Sequence, residues 1–150
     1  MANYYTQFSC LFDVGSAVSA VRAGEIRGEF AAELDRLEGV NLGFEMEGDP
    51  EHGPGALWIH SDEHGEPKHV IGFVLRCAEA FSMTGIWGFR WALTCSRPRP
   101  DGVGGGAQRI DLGKRQSVDW VDCEHWLVER MTAETIDTNS AYALAAAEVL

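Results

Sequence analysis

The chain has 150 residues, enough for one domain with its own core, and its 45% hydrophobic and 23% charged composition is that of an ordinary globular protein. It contains no run of about 18 apolar residues, so no segment qualifies as a membrane-spanning helix. The net charge of −11 disfavours direct binding to nucleic acid, whose phosphates such a surface repels.

That charge is unevenly spread. From Glu25 to Glu66 twelve acids stand against Arg27 and Arg36, a net of −10. From Gly85 to Arg115 six Arg and Lys stand against Asp101 and Asp111, a net of +4. The division suits solubility, and equally an acidic surface that steers association with a basic partner. The opening, MANYYTQFSC, has neither the basic nor the apolar segment of a signal peptide, so a cytoplasmic location is expected. Cys10, Cys77, Cys95 and Cys123 show no paired spacing, and each lies in a run where reduced cysteine packs as a small apolar residue.

YYTQFSCLFDV alternates, with Tyr4, Phe8, Cys10 and Phe12 on one side, and predicts a strand with one buried face. Ile26, Phe30, Leu34 and Leu37 repeat at helical spacing between Ser16 and Glu38, with Gly39 as a stop. Gly24 and Gly28 weaken the first half, so this segment reads as two short helices or one broken helix. NLGFEMEGD predicts a short second strand and ALWIH a third. Pro67 suits the first turn of a helix, and Val70, Ile71, Val74, Cys77, Ala78 and Phe81 form its apolar stripe, widened by Phe73 and Leu75. TGIWGFRWALTCS alternates strongly and places Trp87, Phe89, Trp91, Leu93 and Cys95 on one face. RPRPDGVGGG reads as a loop. AQRIDLGKRQSVDWVD then reads as a hairpin with Ile110 and Leu112 facing Val118 and Trp120, and DCEHWLVERM as a helix capped by Asp122.

The order β-α-β-β-α-β predicts an α+β, ferredoxin-like antiparallel sheet with helices on one face, plus a C-terminal β-hairpin and helix. Residues 1–133 are expected to form a single domain and 134–150 a tail or a further helix.

The densest cluster of chemistry-bearing residues is LWIHSDEHGEPKHV, which holds His60, His64 and His69 with Asp62, Glu63 and Glu66. The three histidines fall in a strand, a turn and a helix start, without a metal-binding spacing, so the stretch reads mainly as an acidic turn and no metal or cofactor is assigned. Strand parity places Ser9, Trp58, His60 and Arg90 on the open face of the sheet, where they form a candidate ligand face. GVGGG resembles a phosphate cradle but precedes a strand rather than a helix. Cys95, Ser96 and the Cys123–His125 pair lack the setting of an activated nucleophile. The tryptophans of WGFRWALTCS fall on the core face, which argues against base stacking.

LWIHSDEHGEPKHVIGFVLRCAEAF followed by WGFRWALTCSRPRPDGVGGGA resembles a family of small uncharacterised bacterial proteins that travel with phages and plasmids. The resemblance transfers no catalytic residue. It implies a mobile-element protein, a setting in which small acidic inhibitors of host defence, of the antirestriction or anti-CRISPR type, are frequent. The expected function is therefore that of a non-enzymatic acidic interaction protein. Glu45, Glu47, Asp49 and Glu51 would engage a basic component of host nucleic-acid-handling machinery, with no direct nucleic-acid or membrane contact. The alternatives are a small-ligand binder or metal-dependent enzyme around His60, and a homodimer formed through the exposed sheet face.

Overall fold

A computed structural model describes residues 2 to 133, and the tail or helix expected over 134–150 lies outside the described residues. In chain order the elements are β1 (Tyr4–Asp13), α1 (Ala17–Glu38), β2 (Glu45–Gly48), a 3-10 turn (Pro50–His52), β3 (Ala56–Ser61), α2 (Pro67–Ala80), β4 (Ile86–Cys95), β5 (Gly104–Asp111), β6 (Gln116–Asp122) and α3 (Cys123–Met131). The strands form one six-stranded sheet in the order β2-β3-β1-β4-β5-β6, and every neighbouring pair is antiparallel. The fold is α+β. The hairpin expected as an appendage is part of the sheet itself, which extends it past the four strands of the predicted architecture.

Alternation in β1 places the side chains. Phe8 and Phe12 are buried against the helices, while Gln7, Ser9 and Leu11 point to the other face. β3 follows suit, burying Leu57 and Ile59 and exposing Trp58. Helix α2 presents Val70, Phe73, Val74, Cys77 and Ala78 to this core, all fully buried. Phe73 meets Phe12 edge-on at 6.3 Å and Phe44 at 5.6 Å between ring centroids. On β4, Trp87, Phe89 and Trp91 form a row spaced 5.4 Å apart on the same side, with Phe89 buried and the tryptophans half-buried. Burying these rings in the close-packed core provides most of the driving force for folding.

Four expectations need correction. First, α1 is one unbroken helix of 22 residues. Gly24 and Gly28 face open space, so each costs only its intrinsic propensity, and the buried Ala23, Ile26, Phe30 and Leu34 outweigh it. The Ser16 hydroxyl accepts from the Ser19 N–H at one end, and Gly39 closes the other at φ 65°. Second, Leu37 is 63% exposed, because the last turn of α1 runs past the core.

Third, Gly104, Gly105 and Gly106 belong to β5 and not to a loop. A Cβ on Gly106 would stand 2.5 Å from the Trp91 ring and 2.4 Å from the Val121 carbonyl oxygen, and Gly105 has φ 142°. Glycine is required here by close packing. Fourth, Ile110 and Leu112 are buried but do not face Val118 and Trp120. An irregularity between Arg109 and Ile110 sets Ile110 against Ser117 and Gln108 against Trp120, and Trp120 is left 65% exposed.

Opposite signs are expected for two glycine substitutions. Gly24→Ala raises stability by about 1 kcal/mol through helix propensity, whereas Gly106→Ala lowers it because the Cβ has no room. Urea denaturation midpoints at unchanged m-value check both.

Candidate functional site on the open sheet face

Helices α1 and α2 pack on one side of the sheet, and the other side of β2, β3, β1 and β4 carries exposed side chains. Three of the four expected ligand-face residues come together there. Trp58 and His60 stack at 3.7 Å with their planes 22° apart, as two residues on one strand face can. The Trp58 indole N–H donates to the Ser9 hydroxyl at 2.8 Å. His60 Nε2 donates to Glu47 Oε1 at 3.3 Å, across the β2–β3 ladder. Ser9, Trp58, His60 and Glu47 thus form a chain of mutually satisfied groups.

Arg90, on the neighbouring strand β4, is not part of this group. It is exposed and lines an open trough of about 510 Å³ together with Gly88, Ala107, Arg109, Asp119 and Val121. Arg109 donates to both carboxylate oxygens of Asp119, at 2.8 and 2.7 Å. These hydrogen bonds hold the Asp119 carboxyl below its ordinary range.

The four acids expected to bind a partner run along β2 and the turn that follows it. Glu45 is 3.5 Å from Arg27, Glu47 contacts His60, and Asp49 is 3.0 Å from His52. Glu51 is exposed at the start of the 3-10 turn. Among the described residues, Arg27 is the only Arg or Lys that forms an ion pair with any of the four.

The histidine-rich stretch disperses in space. His64 is exposed beside Glu63 at 3.9 Å, far in character from the stacked His60. Among the described residues no three metal-ligating side chains converge. His69, expected at the start of a helix, lies in the first turn of α2 and is buried. Its Nδ1 donates to the Leu42 carbonyl at 3.0 Å, its ring meets Phe30 edge-on, and Nε2 has no partner among the described residues. Its place in the apolar i, i+4 register with Phe73 was the signal available in the sequence.

GVGGG offers no cradle, since its last three residues are consumed in the β5 ladder beneath Trp91. Burial pushes the Cys10 thiol up to about 11 and the Cys77 thiol up to about 12, which keeps both protonated at neutral pH. Cys123 is exposed at the start of α3, where Asp122 caps the helix by accepting from the His125 N–H at 2.9 Å.

Comparison with protein families, characterised proteins and solved structures gives no match to this chain. Among the described residues no helix is long and apolar enough to cross a membrane.

Two measurements check the local chemistry. A thiol reagent at mildly alkaline pH is expected to label Cys123 first and Cys77 only on unfolding. In carboxyl-detected NMR, Asp119 titrates below a peptide aspartate and moves up to the ordinary range in Arg109→Ala. The sign follows from the depressed value: what the pair adds to stability is present above the unfolded-state pKa and is lost as pH falls through the folded one.

Proposed function

We propose that this chain is an interaction protein without a reaction of its own, and that its acidic β2 flank docks on a basic partner. One observation carries the reading. Glu45, Glu47, Asp49 and Glu51 follow one another along an edge strand and its turn, with Arg27 the only Arg or Lys paired to them among the described residues. Carboxylates at alternate positions of a strand repeat about every 6.6 Å on one face, close to the phosphate spacing of a nucleic-acid strand, roughly 6–7 Å. The flank can therefore stand in for phosphates on a protein that handles nucleic acid, and its field accelerates encounter. The resemblance to proteins of mobile elements extends the proposal to an inhibitor of a host defence system that acts by occlusion.

The first four strands support a finer reading of the fold. Their order, β2-β3-β1-β4, with α1 between β1 and β2 and α2 between β3 and β4, is what a ferredoxin-like unit requires. We infer that this unit is the core, extended at one edge by β5 and β6.

The test compares the wild-type chain with the fourfold variant Glu45→Gln, Glu47→Gln, Asp49→Asn, Glu51→Gln as bait in bacterial host lysate. The expected result is a basic, nucleic-acid-binding protein, identified by mass spectrometry. A short DNA duplex or high salt should displace it from the wild type, and the variant should bind it at least about tenfold more weakly. Identical capture by both baits, indifferent to salt, would sink the proposal.

A further inference from the structure

Two of the four carboxylates on the acidic flank are each held by a histidine, and local geometry accounts for both pairs. β2 and β3 run antiparallel, with Glu45 opposite His60 and Glu47 opposite Trp58. Long side chains reach diagonally across such a ladder. Stacking on Trp58 at 3.7 Å fixes the plane of the His60 ring, and its Nε2 donates to Glu47 Oε1 at 3.3 Å. Asp49 precedes the 3-10 turn, where side chains three apart stand one above the other. The His52 N–H closes that turn on the Asp49 carbonyl at 3.1 Å, which sets the His52 ring over Asp49 with Nδ1 3.0 Å from Oδ2.

The charged groups facing these two rings are acids. His60 meets Glu45 and Glu47 of β2, with the uncharged Ser9 of β1 and Trp58 of its own strand beside it. His52 meets Asp49 and has Glu51 next to it in the turn. Asp13 of β1 lies close by, since a Cβ on Gly53 would stand 3.7 Å from its Oδ2. Arg27 of α1 is paired with Glu45 at 3.5 Å. The other three of the chain's histidines lie elsewhere: His64 between β3 and α2, His69 buried in α2 and His125 on α3.

A neutral histidine donates a hydrogen bond and leaves the carboxylate charge in place. An imidazolium cancels that charge and holds the same oxygen that a lysine or arginine of a partner would take. Counting Arg27, the four carboxylates carry a net of −3 with both histidines neutral and −1 with both charged. We propose that His52 and His60 make the acidic flank a pH-responsive docking surface, open to a basic partner above neutral pH and occupied by its own imidazoliums below it. Histidine is the side chain whose ordinary charge change falls between pH 5 and 8, whereas Asp and Glu ordinarily titrate lower. The proposal rests on the docking role given to the flank above.

An acetylated peptide of ten lysines carrying a fluorophore serves as the basic probe, because lysine does not titrate between pH 5.5 and 8. Its affinity for the full chain is read by fluorescence anisotropy at low salt. The wild type is expected to bind it at least about threefold more weakly at pH 5.5 than at pH 8, a loss within what two exposed ion pairs account for. His52→Gln with His60→Gln, which keeps a hydrogen-bond donor beside each carboxylate, loses most of that drop with unchanged circular dichroism. Each single variant loses part of it, so the outcome does not hang on the double variant folding. His64→Gln with His125→Gln keeps the full drop. An equal drop in the wild type and the His52/His60 variant overturns this proposal alone. So does wild-type binding that the fourfold carboxylate variant weakens at pH 8 but that does not change with pH. A fourfold variant that binds the peptide as tightly as the wild type at pH 8 overturns the docking role and this proposal with it.

Discussion

Phe12 is the contact on which the rest of the structure rests. It lies on β1, the strand between β3 and β4, and meets Phe73 of α2 and Trp87 of β4 edge-on. With this ring in the core, the pleat of β1 sends Ser9 and Leu11 to the far face. The ladders then impose the same choice on Trp58 and His60 of β3 and on Glu45 and Glu47 of β2. A one-residue slip would exchange the two faces and bury Ser9 in place of Phe8. The polar character of the open face thus follows from the apolar character of the other.

The two edges of the sheet meet different fates. β2 has only four residues and carries Glu45 and Glu47 within it, and both features protect an edge from adding further strands. The carboxylates that define the acidic flank therefore also keep that edge solitary. β6 is longer, and Val118, Trp120 and Val121 are exposed along it. Helices α1 and α2 cover the middle of the sheet but do not extend over β6, which leaves Trp120 uncovered on the side where Trp91 is half-buried.

Much of this arrangement was legible in the chain. The alternation of β1 and β4 identified Phe8, Phe12 and Phe89 as internal, though it put Tyr4 on the same face, where the start of β1 leaves it exposed, and the stripe of α2 identified its buried face. Parity placed Ser9, Trp58, His60 and Arg90 on one side of the sheet. It could not show that Arg90, on β4, takes no part in the chain that joins Ser9 and Trp58 to His60 and Glu47, because that depends on strand order and on which side chains meet. The β5–β6 register was hidden for a similar reason. Its irregularity at Arg109 and Ile110, and the turn residue Arg115 at φ 57°, carry no glycine or proline to announce them. Leu37 was misread because helical periodicity does not say where the neighbouring sheet ends.

The glycines of β5 bear on how future relatives of this chain should be compared. Every replacement of Gly106 adds at least a Cβ, and that atom collides with the Trp91 ring or a backbone carbonyl. Selection for a folded protein alone would then hold the residue constant across an alignment. An invariant glycine run ending here would look like a nucleotide-binding signature, yet it would record the footprint of one indole ring.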